Sequence, residues 1–303
     1  MASHAPAQTG GGGTKTASGP GAFQIRSMSN TTHSKYINML VYGKHGSGKT
    51  TLAASSVDVE QMNDVLVVMA EGGEVVFEDN DRIAAYEGLD VVKVDRIDQF
   101  QKIYEFLKAH VSMRDNPAQE AQLQQLQEMV FGGFDGRIRR YRTVIIDSLS
   151  EIEAYCMAKI LNLDALGLDS GDEMEVAGFP QFRKNLHIMQ RAIRQFRDLQ
   201  IHVIMTCAES WSQDERKAFS YTPKLTGQLS TIAQGFFDIV GWLVVGQKAG
   251  ETEAAPRRMF VQPQAQPKAD AKCRLAAYKS DFFDNPMMRD ILVGTGYLVV
   301  EDK

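Results

Sequence analysis

The sequence predicts an α/β fold with a mostly parallel central sheet flanked by helices. Three observations carry that expectation. Short continuous apolar runs recur at 37–42, 65–69, 143–147 and 201–206, as expected of strands buried on both faces. Segments with helical spacing separate them, so strand and helix signals alternate along the chain. The first run leads into Gly43-Lys44-His45-Gly46-Ser47-Gly48-Lys49-Thr50, a complete G-x-x-x-x-G-K-[ST] loop, which needs a strand before it and a helix after it.

The elements follow in order. Residues 1–33 are rich in Gly, Ser, Thr, Ala and Pro and lack acids, which reads as a flexible, weakly basic tail. Residues 34–303 read as one domain. Its first strand, 37–42, is followed by the loop and by a helix that opens with Thr51-Leu52-Ala53-Ala54. Strands are expected at 65–69 and 91–94. Phe100, Ile103, Tyr104 and Leu107 mark an amphipathic helix over 98–110. The Gln/Glu-rich stretch 117–129 reads as a solvated helical insertion, ended by Gly132 and Gly133. A strand over 143–147 precedes a helix over 150–161 and an acidic loop over 163–180. The next helix spans 181–199, with Phe182, Leu186, Met189, Ile193 and Phe196 facing inward and several arginines outward. After the strand at 201–206, a polar segment over 209–230 reads as a surface loop. Strands at 239–245, 259–261 and 292–300 then form a C-terminal, antiparallel extension.

Composition narrows the function classes. Of 303 residues 44% are hydrophobic and 23% charged, as in a soluble globular protein. No apolar run approaches the roughly 18 residues of a membrane span, and no secretory signal pattern opens the chain, so no membrane partner and a cytoplasmic location are expected. Cys156, Cys207 and Cys273 lack C-x-x-C spacing and read as reduced thiols. A net charge of −5 argues against a wholly basic nucleic-acid coat but leaves room for a local basic groove.

The loop carries the chemistry. Glycines at 43, 46 and 48 let backbone N–H groups approach phosphate oxygens, and the helix start at Thr51 adds partial positive charge. Lys49 reaches the β and γ phosphates, and the Thr50 hydroxyl joins a Mg²⁺ shell. Asp147 ends an apolar strand, where its carboxylate would hold the same Mg²⁺; a strand-terminal Asp is also a common helix cap. Glu71 ends the second strand and suits polarisation of an attacking water; the plainer alternative is a loop acid. Thr206, at a fourth strand end, would sense the γ-phosphate or serve as a structural hydroxyl.

This order of strand ends resembles the ATPase core of the RecA recombinase superfamily. GKHGSGKTTLAA, the strand ending AEGG and TVIIDSLSEIE further resemble phage-encoded, core-only RecA-like ATPases, several of which anneal single-stranded DNA. The resemblance covers roughly residues 36–245. It implies an ATP- and Mg²⁺-dependent ATPase that assembles into a filament or ring, with single-stranded DNA and a single-strand DNA-binding protein as partners. Lys44 also gives the loop a likeness to the ParA/MinD partitioning ATPases, but His45 and Asp147-Ser148-Leu149 depart from that pattern. A hexameric helicase shares the core. A nucleotide switch acting on a protein partner is thus the alternative from a different class.

By position, the resemblance maps two DNA-contacting loops to 163–180 and 209–228. The second is chemically suited to DNA, because Trp211, Phe219 and Tyr221 offer stacking faces and Arg216, Lys217 and Lys224 offer phosphate contacts. The first is not, because Asp164, Asp169, Asp172, Glu173 and Glu175 crowd it. The resemblance also implies basic residues late in the core that complete a neighbouring subunit's site, for which Lys272 and Arg274 are the candidates.

Overall fold

A computed structural model of the chain describes residues 36–72, 88–132, 135–163, 177–215, 217–246, 255–275 and 280–298. The tail at 1–33, Arg216 and most of the acidic loop at 163–180 lie outside the described residues.

The apolar runs form the strands they predict. Strand β1 (Asn38–Gly43), β2 (Val65–Met69) and β4 (Thr143–Asp147) are buried at every position. Only strands covered on both faces need such unbroken hydrophobicity. With β3 (Leu89–Lys93), β5 (His202–Gln213) and β7 (Ile239–Val245) they form a parallel sheet in the order β7-β1-β5-β4-β2-β3. Strands β8 (Arg257–Phe260) and β12 (Phe282–Asp284) continue it past β7 in antiparallel fashion. The expected α/β fold, a mostly parallel sheet flanked by helices, is the fold found.

Alternation along the strands divides the core into two layers. On one face Leu40, Leu66, Val68, Val144, Ile146, Val203 and Met205 pack beneath α2 (Ile97–Arg114), α4 (Leu149–Ile160) and α5 (Phe179–Arg197). On the other, Met39, Val41, Val67, Ile145 and Ile204 pack beneath α1 (Lys49–Ala54) and α7 (Met288–Gly294).

Four sequence expectations need correction. The stretch after Pro117 is not solvated throughout. Helix α3 (Glu120–Phe131) buries Leu123 and Gln127, and the Gln127 amide both donates to the Arg139 carbonyl and accepts from the Arg139 N–H, stapling the helix to the approach to β4. A polar side chain shares the anchoring with Leu123, which a hydrophobicity pattern cannot register. Phe182 does not face inward; it is 42% exposed, while Asn185, bonded to the buried Glu153, occupies the inner face. The described part of the segment expected as a strand at 292–300, residues 292–298, is not a strand: Met288, Ile291 and Leu292 have helical spacing and form the buried face of α7, and 299–300 lie outside the described residues.

The fourth correction concerns 209–230. β5 does not stop near Thr206. It pairs with β1 as far as Ala208, then continues as one arm of an antiparallel hairpin with β6 (Phe219–Pro223), and a short helix, α6 (Leu229–Gln234), follows. Its serines and charges disguised a strand that leaves the core and projects into solvent. Short strands β9 (Gln264–Ala265) and β10 (Lys268–Ala269) extend that hairpin sheet, and β11 (Lys272–Cys273) pairs with the start of β7.

Candidate nucleotide site

The loop after β1 is shaped by what its glycines permit. A Cβ on Gly43 would lie 2.2 Å from the Leu243 carbonyl oxygen of β7, so any side chain there would push two core strands apart. Gly48 adopts φ +95°, a left-handed conformation that turns the chain into α1. Lys44, His45 and Gly46 are exposed, Ser47 and Lys49 buried, and Thr50 and Thr51 half-buried. The Lys49 ammonium folds back onto the loop and donates to the carbonyls of Gly43 at 3.0 Å and Lys44 at 2.9 Å. Among the described residues the buried Ser47 hydroxyl has no partner. A buried cation held by two carbonyls, beside an unsatisfied hydroxyl at a helix start, is a donor set suited to a phosphate group.

The sheet brings three more strand ends to this loop. Asp147, 6% exposed, accepts from the Thr50 hydroxyl at 2.6 Å through one oxygen and from the Thr206 hydroxyl at 2.5 Å through the other. Burial raises its pKa, and the two hydroxyls oppose the rise. Burial likewise lowers the pKa of Lys49, opposed by Asp147 and Glu71. Glu71 is fixed to the same strand end. Its N–H and that of Ala70 donate to the Asp147 carbonyl, and its carboxylate accepts from the Ser148 hydroxyl at 2.5 Å. A carboxylate adjoining a threonine hydroxyl suits a phosphate-bound Mg²⁺, whose remaining ligands are phosphate oxygens and water; Thr50 and Asp147 would hold it.

The other expected site residues fall in two places. Trp211, Phe219 and Tyr221 line the β5–β6 hairpin, where Trp211 is 62% and Phe219 43% exposed. Lys217, at the turn, and Lys224, just after β6, are both exposed. Lys272 and Arg274 are not brought to this chain's own loop. Lys272 pairs with Val240, near the beginning of β7, and Arg274 bonds the carbonyls of Asp238 and Gly235. They therefore stand toward the opposite end of the strands.

Sequence reasoning missed two groups. Ser150 of α4 accepts from the Ala208 N–H and donates to the Lys224 carbonyl, tying that helix to both arms of the hairpin. Arg257 of β8 donates its Nε–H to the Ser47 carbonyl at 3.0 Å across 210 positions of chain, and no local pattern announces such a contact.

Fold and site together define a P-loop nucleoside-triphosphatase. The chain belongs to the AAA domain family, whose model matches residues 35–275, and this makes it an ATPase domain with a nucleotide-binding loop. No curated protein matches it. Among solved structures, the flagellar accessory protein FlaH from Methanocaldococcus jannaschii is similar at 11% identity, over 83% of this chain and 87% of that one, with a TM-score of 0.38. Among the described residues no helix is long and apolar enough to cross a membrane.

Proposed function

We propose that this ATPase is Mg²⁺-dependent, assembles with copies of itself, and acts on single-stranded DNA in annealing or recombination, as its sequence resemblance to phage-encoded RecA-like proteins implies. Lys49 and the loop amides would bind the phosphates, and Glu71 would orient the attacking water. One observation carries the DNA reading: a single strand, β5, is bonded to the nucleotide site through Thr206 and bears exposed Trp211 in a hairpin beyond it.

The register of the strands supports it. Trp211 lies opposite Tyr221, and Trp242 lies opposite Phe260. Their rings form a row in which Tyr221 stacks on Trp242 at 5.0 Å and Trp242 on Phe260 at 5.5 Å. The buried end of this row supports the exposed end, so Trp211 and Phe219, 5.7 Å apart, are presented on a firm base. Unstacked bases bind such faces at about 1–3 kcal/mol each, with lysines taking the backbone.

The test is the ATPase rate of the full chain alone, with single-stranded DNA and with duplex, alongside anisotropy of a labelled oligonucleotide. Only single strands should stimulate, and Trp211→Ala should weaken binding by roughly tenfold, the equivalent of about 1.4 kcal/mol. Absence of nucleotide-dependent binding at low salt would reject the DNA reading in favour of a switch that engages a protein.

A further inference from the structure

The antiparallel extension contributes to the nucleotide site, and it does so through one arginine. Arg257 and Arg258 are neighbours on β8 and point to opposite faces of the sheet. Arg258 is fully engaged: it pairs with Asp284 at 2.7 Å and lies 3.8 Å over the Phe282 ring. Arg257 faces the loop instead. Its Nε–H bonds the Ser47 carbonyl, and its side chain fills the space beside Gly48, where a Cβ would meet Nε at 2.8 Å and Cδ at 3.1 Å. Among the described residues no acid pairs with it.

Its backbone is held as firmly as its tip. The Arg257 N–H donates to the Asn285 side chain at 2.8 Å, and its carbonyl accepts from the Asn285 N–H at 2.6 Å. An exposed, unpaired guanidinium would ordinarily swing through solvent. This one is anchored at both ends, beside the loop peptide whose N–H groups face the α and β phosphates in loops of this kind.

We infer that Arg257 binds the diphosphate portion of the nucleotide in cis, its terminal nitrogens adding positive charge beside the Ser47–Gly48 peptide. Lys49 serves the β and γ phosphates, whereas Arg257 serves the part that ATP and ADP share. A guanidinium suits this double duty because it can spend Nε on a carbonyl and keep two nitrogens for phosphate oxygens. The inference rests on nucleotide binding at the loop and is independent of the DNA reading.

Titrations of the full chain with fluorescent ADP and ATP analogues test it. Arg257→Ala should weaken both by about tenfold. Arg257→Gln separates charge from support, because its amide can still donate to the Ser47 carbonyl. It should lose affinity as the alanine variant does, and the salt dependence of ADP binding should flatten. Wild-type affinity in Arg257→Gln would reduce the residue to a prop for the loop and overturn the inference. So would a loss confined to ATP, which would place the contact on the γ-phosphate. Failure of the wild-type chain to bind either nucleotide would instead remove the reading beneath it.

Discussion

The Thr206 hydroxyl donates to Asp147 across 2.5 Å, so the strand that bears the projecting hairpin is bonded to the acid that ends β4 beside the phosphate loop. Thr206 is fully buried, and Asp147 uses its other oxygen for Thr50. A change in what Asp147 binds must therefore be felt by β5.

Thr206→Val keeps the shape and removes the donor. Loss of one hydrogen bond to a buried carboxylate costs about 1.5–3 kcal/mol when the acceptor is left without a partner. The variant should fold, bind nucleotide, and show ATP turnover that no longer responds to the oligonucleotide, whereas Thr206→Ser should behave as wild type. Steady-state rates with and without single-stranded DNA report this; an undiminished response in the valine variant would deny Thr206 any part in the coupling.

Glu71 is held by Ser148 and by the backbone of the Asp147 strand, and the role proposed for it is to orient water and not to anchor phosphate. Glu71→Gln should retain ATP with near wild-type affinity and hydrolyse it at least about a hundredfold more slowly. Single-turnover measurements decide the matter. A normal chemical rate would make Glu71 a structural acid.

Lys272 and Arg274 stand away from their own chain's loop, so any catalytic role must be exercised on a neighbouring copy. Removing both charges should leave ATP binding intact and depress hydrolysis. Mixing that variant with Glu71→Gln, itself inactive, should restore part of the activity, because some interfaces then join an intact Glu71 to an intact basic pair. No recovery at any ratio, once subunit exchange is verified, argues against the arrangement.

Acid should destabilise the fold through two histidines. His110 and His202 are buried, and burial lowers both pKa values to about 4. Arg114 nearby also disfavours the charged form of His110, and Nδ1 of His202 already accepts the Ile37 N–H. Since the unfolded value is about 6.5, their contribution is complete above that pH and is lost as pH falls toward about 4. Where both titrate, stability should fall by up to about 2.7 kcal/mol per pH unit. Asp147 and Glu153, whose pKa values are raised by burial, act in the opposite sense. Urea midpoints from pH 7.5 to 4.5 should therefore decline more gently in His110→Met than in wild type; parallel declines would acquit His110.

The parallel core was legible because its strands are buried on both faces and must be apolar at consecutive positions, as 65–69 and 143–147 are. The phosphate loop was legible because Gly43, Gly48 and Lys49 each satisfy a local demand of the backbone or of a phosphate. Three features were hidden for physical reasons. The outer half of β5 is solvated and carries a loop's composition, though cross-strand pairing makes it a strand. Helix α3 is fastened in part by an amide, Gln127. Arg257 reaches Ser47 only because β8 is laid beside β7, a long-range consequence of topology that no spacing encodes.

The strand shared by core and hairpin also sets a rule of phase. Trp211 stands five positions beyond Thr206 on β5, roughly 17 Å at about 3.4 Å per residue, so the two project from opposite faces. A single residue inserted between them would turn Trp211 to the side now occupied by Ser210 and Ser212, away from the Phe219 ring of β6 that it now meets. Two inserted residues would restore the facing and merely lengthen the arm. Length change in this segment is thus permitted in steps of two and forbidden in steps of one, so the spacing between hydroxyl and indole is governed by parity more than by distance.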